Sequence, residues 1–284
     1  MWLADRLATI GFRCFHGFRN RSIGNIRIAL GDRLDPSAIE LTARRSLRNF
    51  FRACVEAAIA VKSSDDELRA RITLVGRENL DAALAKGQGV LLLSAHLGNF
   101  FLLGGRLAID GYLNSVLVNQ PRDGRFAKLM DDYRLKVRQR TIHARPRREA
   151  LRELNALLRH NQVAIVIADE FRKGNGIEVP FFGRTVISRR GPVTLALRTG
   201  AAIVPAYLVC QDDDSLKLMI EPELELDRDG KGSAEISENT ARLAQWLERT
   251  VRAHPDQWNW MNIRHWAGRG DKSLNQQPPL RHAV

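Results

Sequence analysis

The chain has 284 residues, of which 44% are hydrophobic and 27% charged, so it can form one large α/β domain or two smaller ones. Lys and Arg number 44 against 32 Asp and Glu, and the resulting net charge of +12 favours anionic partners such as nucleic acid, an anionic membrane or an acidic protein. Three widely spaced cysteines without a CxxC pair argue against a disulfide framework or a zinc site, and no apolar run reaches the roughly 18 residues of a membrane span.

The N-terminal segment has the pattern of a basic amphipathic helix. Apolar residues recur at helical spacing at Leu3, Leu7, Ile10, Cys14 and Phe18, with arginines between them. Such a helix either lies in an anionic membrane interface or packs its apolar face on the protein, and the two roles are compatible. Charges interrupt the segment throughout, so a signal peptide is not expected. Residues 1–70 are therefore predicted to be an N-terminal helical, membrane-facing part of the same domain.

A long helix is predicted to follow. Asp35 suits the N-cap position and Pro36 suits the first helical position. Its predicted apolar stripe consists of Ala43, Leu47, Phe50, Cys54, Ala57 and Val61.

Short apolar runs then predict six strands. They cover residues 71–76, 90–96, 113–120, 163–170, 201–209 and 216–224, and helical patterns lie between most of them. The glycine- and arginine-rich segment 172–191 is predicted to be a loop, and 267–284 a flexible tail. This alternation predicts an α/β fold over residues 71–266, with a mostly parallel central sheet and helices on both faces.

Reactive side chains end two of the predicted strands. Residues 90–96 end in His96, and residues 163–170 end in Asp169 and Glu170. Ligands of parallel α/β sheets bind beyond the C-terminal ends of the strands, so these side chains are expected to face one crevice.

His96 is the candidate general base. Gly98 permits close backbone approach, Asn99 is predicted to cap the following helix, and the positive helix N-terminus favours neutral imidazole. A neutral histidine is what a general base requires near pH 7. The sequence lacks GxSxG, GxxxxGK[ST], HExxH and a dinucleotide fingerprint, so neither a metal nor a bound cofactor is expected.

The stretch "SAHLGNFFLLGG" resembles the H-x-G-N-[WF]-[ED] block of the bacterial late acyltransferases of lipid A biosynthesis, the lauroyl/myristoyl transferase family. The segments "NIRIAL", "ADEFRKGNGIEVPFFGRTVISRRGPVTLALRTGAAIVPAY" and "PDQWNWMNIRHW" are similar to other blocks of that family. As a set they are specific, and together they span roughly residues 20 to 266.

The resemblance implies a glycerol-phosphate acyltransferase-like fold and acyl transfer from acyl carrier protein or coenzyme A to a hydroxyl of an anionic membrane lipid or glycolipid. It implies a location at the cytoplasmic face of the inner membrane. Because no membrane span is predicted, unlike in family members with an N-terminal anchor, the amphipathic N-terminus would attach this protein peripherally. Within this family the histidine would take the proton of the attacking hydroxyl. Acyl length, donor, acceptor and oligomeric state stay open at this point.

One position departs from the family pattern. The family's acid lies five residues after the histidine, where this chain has Phe101. Three alternatives follow. In the first, another carboxylate orients His96, with Asp169 as the first candidate and Glu170 as the second. In the second, His96 works without an orienting acid at a reduced rate, and in the third the chain is a catalytically impaired lipid-binding relative.

Asn99 and Arg134 are further candidates for a catalytic role, and the candidates for substrate binding are Gly98, Phe100, Phe101, Glu170, Gly183 and Arg184. Arg134 matches the arginine of the family's middle block, where it would face the acid or the acceptor. Phe100 and Phe101 would extend an apolar acyl groove. Gly183 and Arg184, in the V-P-F-F-G-R element, are predicted to contact substrate, and Arg184 would bind phosphates through paired hydrogen bonds.

A basic nucleic-acid-binding protein is the rival class, since it too explains the charge. The basic residues are scattered, however, and no RNP, helix-turn-helix or zinc pattern occurs. The sequence therefore favours an acyltransferase without a nucleic-acid partner.

Overall fold

The computed structural model describes residues 2–121, 123–171, 174–228, 232–263 and 266. The predicted tail at 267–284 lies outside the described residues. The helices are α1 (Trp2–Cys14), α2 (His16–Leu30), α3 (Pro36–Ala60), α4 (Asp65–Arg71), α5 (Arg77–Leu84), α6 (Phe100–Ile109), α7 (Gly124–Lys136), α8 (Arg147–Arg159), α9 (Gly191–Thr199) and α10 (Ser233–Ala253), with a 3₁₀ turn at Trp260–Asn262. The strands are β1 (Ile72–Val75), β2 (Val90–Ser94), β3 (Asn114–Val118), β4 (Arg140–His143), β5 (Val163–Ile167), β6 (Ile177–Phe181), β7 (Arg184–Ser188), β8 (Ala202–Cys210) and β9 (Leu216–Ile220).

Seven strands form one sheet in the order β1-β9-β8-β2-β5-β3-β4. The five strands from β8 to β4 are parallel, and β9 and β1 run in the opposite direction because β9 pairs antiparallel with β8. The predicted α/β fold with a mostly parallel sheet is therefore confirmed.

Alternate residues of the central strands enter two separate hydrophobic cores, one on each face of the sheet. In β2, Leu91 and Leu93 belong to one core, whereas Val90 and Leu92 belong to the other. This two-residue period is the pattern of a strand covered on both sides, which explains why β2 reads as a continuous apolar run.

The N-terminal helices pack against one another beside the sheet. Asp35 caps α3 as predicted, because its Oδ1 accepts the backbone N–H groups of Ser37 at 2.8 Å and Ala38 at 2.9 Å. The predicted apolar stripe of α3 was partly wrong, since Cys54 is exposed while the charged Arg52 and Glu56 are buried. Paired charges take the place of apolar residues on that face.

The predicted loop at 172–191 was also wrong. Strands β6 and β7 form an antiparallel hairpin there, with Phe181 pairing with Arg184. Its two turn residues, Phe182 and Gly183, both have positive φ, at 51° and 69°, as a type I′ turn requires. The glycine and arginine content concealed this strand pair, and the short elements α4 and β4 were not predicted.

None of the helices in the described part of the chain combines the length and the hydropathy that a membrane span requires.

Candidate active site

The site lies where two neighbouring strands end. His96 stands two residues after β2 and Asp169 two residues after β5. These strands are parallel neighbours, with Ser94 paired to Ile167. A further bond from the Ala168 N–H to the Ser94 carbonyl, at 2.9 Å, continues the ladder past the strand ends. The structure thus brings together the two side chains that the sequence placed in one crevice.

His96 and Trp258 donate hydrogen bonds to Asp169. Its Oδ1 lies 2.7 Å from His96 Nδ1, and its Oδ2 accepts the His96 backbone N–H at 2.8 Å. The indole Nε1–H of Trp258 also donates to Oδ2, at 2.8 Å. The carboxylate therefore holds both the ring and the main chain of His96.

These contacts keep Asp169 ionised although it is fully buried. Burial by itself raises the pKa of this carboxyl, but the imidazole of His96 and the N–H donors of His96 and Trp258 outweigh it and hold the pKa of Asp169 below its ordinary value. Because an ionised carboxylate only accepts hydrogen bonds, Nδ1 of His96 carries the proton of this contact, and Nε2 is the ring nitrogen that can take up a proton from another group. The His96 side chain is 25% exposed, so this ring reaches the surface.

A C-terminal segment closes the site from behind. Trp258 is completely buried and forms an isolated antiparallel β-bridge with Leu97. Asn259 donates its N–H to the His96 carbonyl at 3.0 Å. The hydrogen bond from Trp258 to Asp169 was not predicted from the sequence. The available signal was a tryptophan-rich block near the end of the chain, since a buried indole N–H requires an acceptor.

Gly98 is required by close backbone contact. Its φ is +57°, and a Cβ there would lie 1.9 Å from the carbonyl oxygen of Leu208. Its N–H is bonded to the Gln257 carbonyl at 2.9 Å. The loop from His96 to Asn99 is therefore clamped between β8 and the C-terminal segment, as the predicted close approach of backbone at Gly98 implied.

Asn99 does not cap α6, contrary to the prediction. Its side-chain amide donates instead to Oε2 of the buried Glu56 at 2.7 Å, and no capping bond forms. Glu56 Oε1 in turn accepts from Arg52 at 3.0 Å and from Arg71 at 2.9 Å. This buried network, which the sequence gave no means to locate, ties α3 to the loop that carries His96.

Removing Glu56 is expected to destabilise the fold strongly. Glu56→Ala takes the buried carboxylate from Arg52, whose side chain is only 5% exposed, and leaves it paired with the exposed Asp214. Breaking a buried ion pair typically costs about 3–5 kcal/mol. The midpoint of chemical denaturation measures the change. Asp66→Ala is the matched control, because the Asp66 side chain is 93% exposed and its ion pair with Arg69 lies at the surface. Equal shifts in the two variants would contradict a structural role for the buried network.

Two phenylalanines line the approach to His96. The Phe100 ring meets the imidazole edge-on at 5.0 Å between centroids, and Phe101 packs on Phe100 at 4.2 Å. Tyr133 of α7 donates its hydroxyl to the Phe101 carbonyl at 3.0 Å. The position of the family's acid is thus occupied by a half-buried aromatic ring.

Arg134 faces a different acid from the one that holds His96. It pairs with Asp131 at 3.0 Å on the same helix, and Asp131 also lies 3.5 Å from His143 at the end of β4. Burial lowers the pKa of Arg134 more strongly than Asp131 raises it. Contact of Arg134 with an acceptor stays a prediction.

Glu170 follows Asp169 directly in the chain, at the same edge of the sheet. Its Oε2 accepts from Asn119, which follows β3, at 3.2 Å. Gly183 and Arg184 are exposed at the β6–β7 turn, beside the buried Phe182, whose N–H bonds Glu248 of α10. Contact of Gly183 and Arg184 with substrate stays a prediction.

Comparison with known proteins gives a consistent family. A family model described as bacterial lipid A biosynthesis acyltransferase matches residues 3–266. A phosphatidylinositol mannoside acyltransferase of Mycobacterium tuberculosis is 29% identical over 191 residues, which are 66% of this chain and 57% of that protein. Its Mycolicibacterium smegmatis counterpart is 25% identical over 222 residues, 77% of this chain and 70% of that protein. A lipid A biosynthesis palmitoleoyltransferase of Escherichia coli is 26% identical over 224 residues, 77% and 69% of the two chains. The chain thus matches little more than half the length of the first of these relatives.

Proposed function

Because this chain belongs to the bacterial lipid A biosynthesis acyltransferase family, we propose that it is an O-acyltransferase that moves a fatty acyl group from a thioester to a hydroxyl of a membrane glycolipid. The observation that carries the proposal is the 2.7 Å contact between His96 Nδ1 and Asp169 Oδ1. The relatives' names, lipid A in one and phosphatidylinositol mannoside in others, support a glycolipid acceptor. The net charge of +12 suits an acyl carrier protein or coenzyme A as donor carrier and an anionic acceptor.

In the proposed reaction Nε2 of His96 removes the proton of the acceptor hydroxyl. The hydroxyl oxygen attacks the thioester carbonyl carbon, and the resulting tetrahedral oxyanion collapses with cleavage of the C–S bond. The thiolate of the carrier leaves and takes the proton back from the imidazolium. Asp169 fixes the ring and stabilises its positive charge, so it performs the task that the resemblance assigned to an acid at position 101.

Donors for the oxyanion are proposed at the start of α6. The first N–H groups of a helix have no i−4 carbonyl within it, and the Asn99 side chain does not cap them because its amide is bonded to Glu56. The Asn99 N–H bonds the Leu208 carbonyl at 2.8 Å and the Leu102 N–H bonds the Asn99 carbonyl at 3.1 Å, so the proposed donors are the N–H groups of Phe100 and Phe101. These groups begin four residues after His96. Preorganised donors of this kind typically contribute about 100- to 1,000-fold to kcat.

Lipid mass spectrometry tests this function. A strain that lacks the gene is expected to accumulate a glycolipid with one acyl chain fewer, and the wild-type gene should restore the complete lipid while the His96→Ala gene should not. An unchanged lipid profile on deletion would contradict the acyltransferase. Full restoration of the lipid by the His96→Ala gene would contradict only the role of His96. If, in addition, the purified wild-type protein transferred no acyl group, the alternative of a catalytically impaired lipid-binding relative would be favoured.

Peripheral binding to the cytoplasmic face of the inner membrane is proposed to use α1. Ala8 and Phe12 are buried against the rest of the helical layer, whereas Leu7, Ile10 and Phe15 are 39%, 59% and 57% exposed. The helix therefore has an apolar side that the protein does not cover. Basic residues beside such a side favour an anionic membrane interface.

Polar substitution on this side of α1 is expected to weaken membrane binding. The double variant Leu7→Ser/Ile10→Ser should lower partitioning onto anionic vesicles on the order of tenfold, because it removes two side chains that would be buried in the interface. Co-sedimentation with phosphatidylglycerol vesicles measures the change. Leu113→Ser is the control, since Leu113 is 68% exposed and lies directly before β3 rather than in the helical layer of α1. An equal loss in both would argue against α1 as the anchor.

A further inference from the structure

The two oxygens of the Asp169 carboxylate have different partners. Oδ1 lies 2.7 Å from His96 Nδ1, whereas Oδ2 accepts the His96 backbone N–H at 2.8 Å. The indole Nε1–H of the completely buried Trp258 also donates to Oδ2, at 2.8 Å. One oxygen is therefore held from behind by main chain and indole, and the other faces the imidazole.

Trp258 is itself fixed on several sides. Its carbonyl accepts the Ser46 hydroxyl of α3 at 2.6 Å, and the residue forms a β-bridge with Leu97. Its ring packs edge-on against Trp260 at 4.8 Å and against Phe181 at 5.9 Å between centroids. A ring that is packed in this way presents its N–H in one direction, toward Oδ2.

We propose that Trp258 is a positioning residue of the acyl transfer, because its indole N–H keeps Oδ1 of Asp169 toward the imidazole and draws negative charge away from that oxygen. The inference rests on the proposed function, since that function makes His96 the base. Without the indole donor, the buried carboxylate attracts a proton more strongly, and the His96–Asp169 pair holds an additional proton at higher pH. An additional proton on Nε2 leaves no lone pair for the acceptor hydroxyl, and one on the carboxylate removes the charge that stabilises the imidazolium.

The pH profile of Trp258→Phe tests the assignment. Phenylalanine keeps a buried aromatic ring but has no N–H, so the acid limb of kcat/KM is expected to move to higher pH. Because a hydrogen bond to a charged group is typically worth about tenfold or more in an equilibrium constant, the ratio of kcat/KM at pH 6 to that at pH 8 should fall by up to about tenfold.

Trp246→Phe is the matched control. Trp246 is buried in α10, and its indole Nε1–H has no hydrogen-bond partner within the described part of the chain. Its replacement therefore alters buried packing without removing a hydrogen bond from a carboxylate. An unshifted profile in Trp258→Phe, or an equal shift in both variants, would overturn the proposal.

Other charged groups near the pair stay the same in every variant. Glu170 is next in the chain to the carboxylate, and Glu56 lies behind the Asn99 amide with its partners Arg52 and Arg71. A difference between the two tryptophan variants therefore reports the indole donor.

Titration of His96 by NMR gives a readout that does not depend on turnover. The Cε1–H resonance of His96 is expected to titrate at higher pH in Trp258→Phe than in wild type or Trp246→Phe. A shifted titration in a protein that transfers no acyl group would support the effect of the indole on the pair and contradict the proposed function. Acyl transfer with an unshifted titration would overturn the role of Trp258 and leave the proposed function standing.

A closer isostere serves if Trp258→Phe does not fold. β-(3-Benzothienyl)alanine, introduced at position 258 by amber suppression, keeps the bicyclic ring and replaces the N–H group by sulfur. The titration of His96 is expected to move to higher pH with this residue as well. A wild-type titration curve would overturn the proposal, because only the donor has been removed.

Discussion

Replacing His96 by alanine is expected to lower kcat for acyl transfer by about 100- to 10,000-fold, the usual contribution of a positioned general base. The 2.7 Å contact with Asp169 holds the ring with Nε2 toward the reacting hydroxyl, and alanine offers no group to take the proton. Steady-state assays that follow the released thiol measure the change. KM for the thioester should change little, since binding of the acyl chain and carrier does not require the imidazole.

The matched control is His160→Ala. His160 is exposed at the end of α8, where its ring bonds only the helix's own main chain at Ala156. Its replacement should leave kcat at the wild-type value. Equal activity in His96→Ala and wild type would show that another group acts as the base.

Replacing Asp169 by asparagine is expected to lower kcat by up to about 10,000-fold, as the corresponding change does in serine protease triads. An amide in this buried position can turn its NH₂ group toward His96 and favour the tautomer whose proton is on Nε2, which cannot act as a base. It also cannot stabilise the imidazolium. The fold should persist, because the side-chain shape is retained; circular dichroism checks this.

The pH dependence of stability provides an independent check on Asp169. Because its pKa in the folded protein is lowered, its ionised form stabilises the fold at pH values above the ordinary carboxyl pKa of about 3.9. That stabilisation is lost as the pH falls from there through the lower folded-state pKa. Unfolding of Asp169→Asn should therefore depend less on pH in this acid range than unfolding of wild type. Identical acid profiles would contradict the assigned ionisation of this carboxyl.

Glu170→Gln distinguishes the roles of the two carboxylates that follow β5, Asp169 and Glu170. Glu170 accepts from Asn119 at 3.2 Å and was predicted to contact substrate, so its amide variant is expected to raise KM more than it lowers kcat. Asp169→Asn should show the opposite division. A larger kcat loss in Glu170→Gln would assign the orienting role to Glu170.

The part of the site that the sequence predicted is the part built from strand ends. His96 and Asp169 each follow an apolar run, and a parallel sheet brings the ends of such runs to one edge. That β2 and β5 are immediate neighbours depends on strand order, which arises from packing over the whole domain. Sequence alone therefore indicated a shared edge, and the structure supplied the 2.7 Å contact.

The residues that support the site were not predictable in the same way. Glu56 lies in a helix whose apolar stripe was assigned by hydrophobic periodicity, and periodicity does not identify a buried charge that is neutralised by Arg52 and Arg71. The error at Asn99 has the same origin. Asparagine is favoured as a helix cap, but here a buried carboxylate competes for its side chain and wins.

The contribution of Trp258 to the carboxylate's environment has a consequence for how the protein is made. Synthesis proceeds from the N-terminus, so β2, β5 and the whole parallel sheet leave the ribosome before this tryptophan does. Until then Asp169 lacks its indole donor, and Gly98 and His96 lack the main-chain partners at Gln257 and Asn259. A chain that ended before this segment would contain all the strands of the sheet but would lack the C-terminal groups that hold Asp169 and His96 in place. The His96–Asp169 pair therefore gains its full set of described partners only after synthesis has passed Gln257, Trp258 and Asn259.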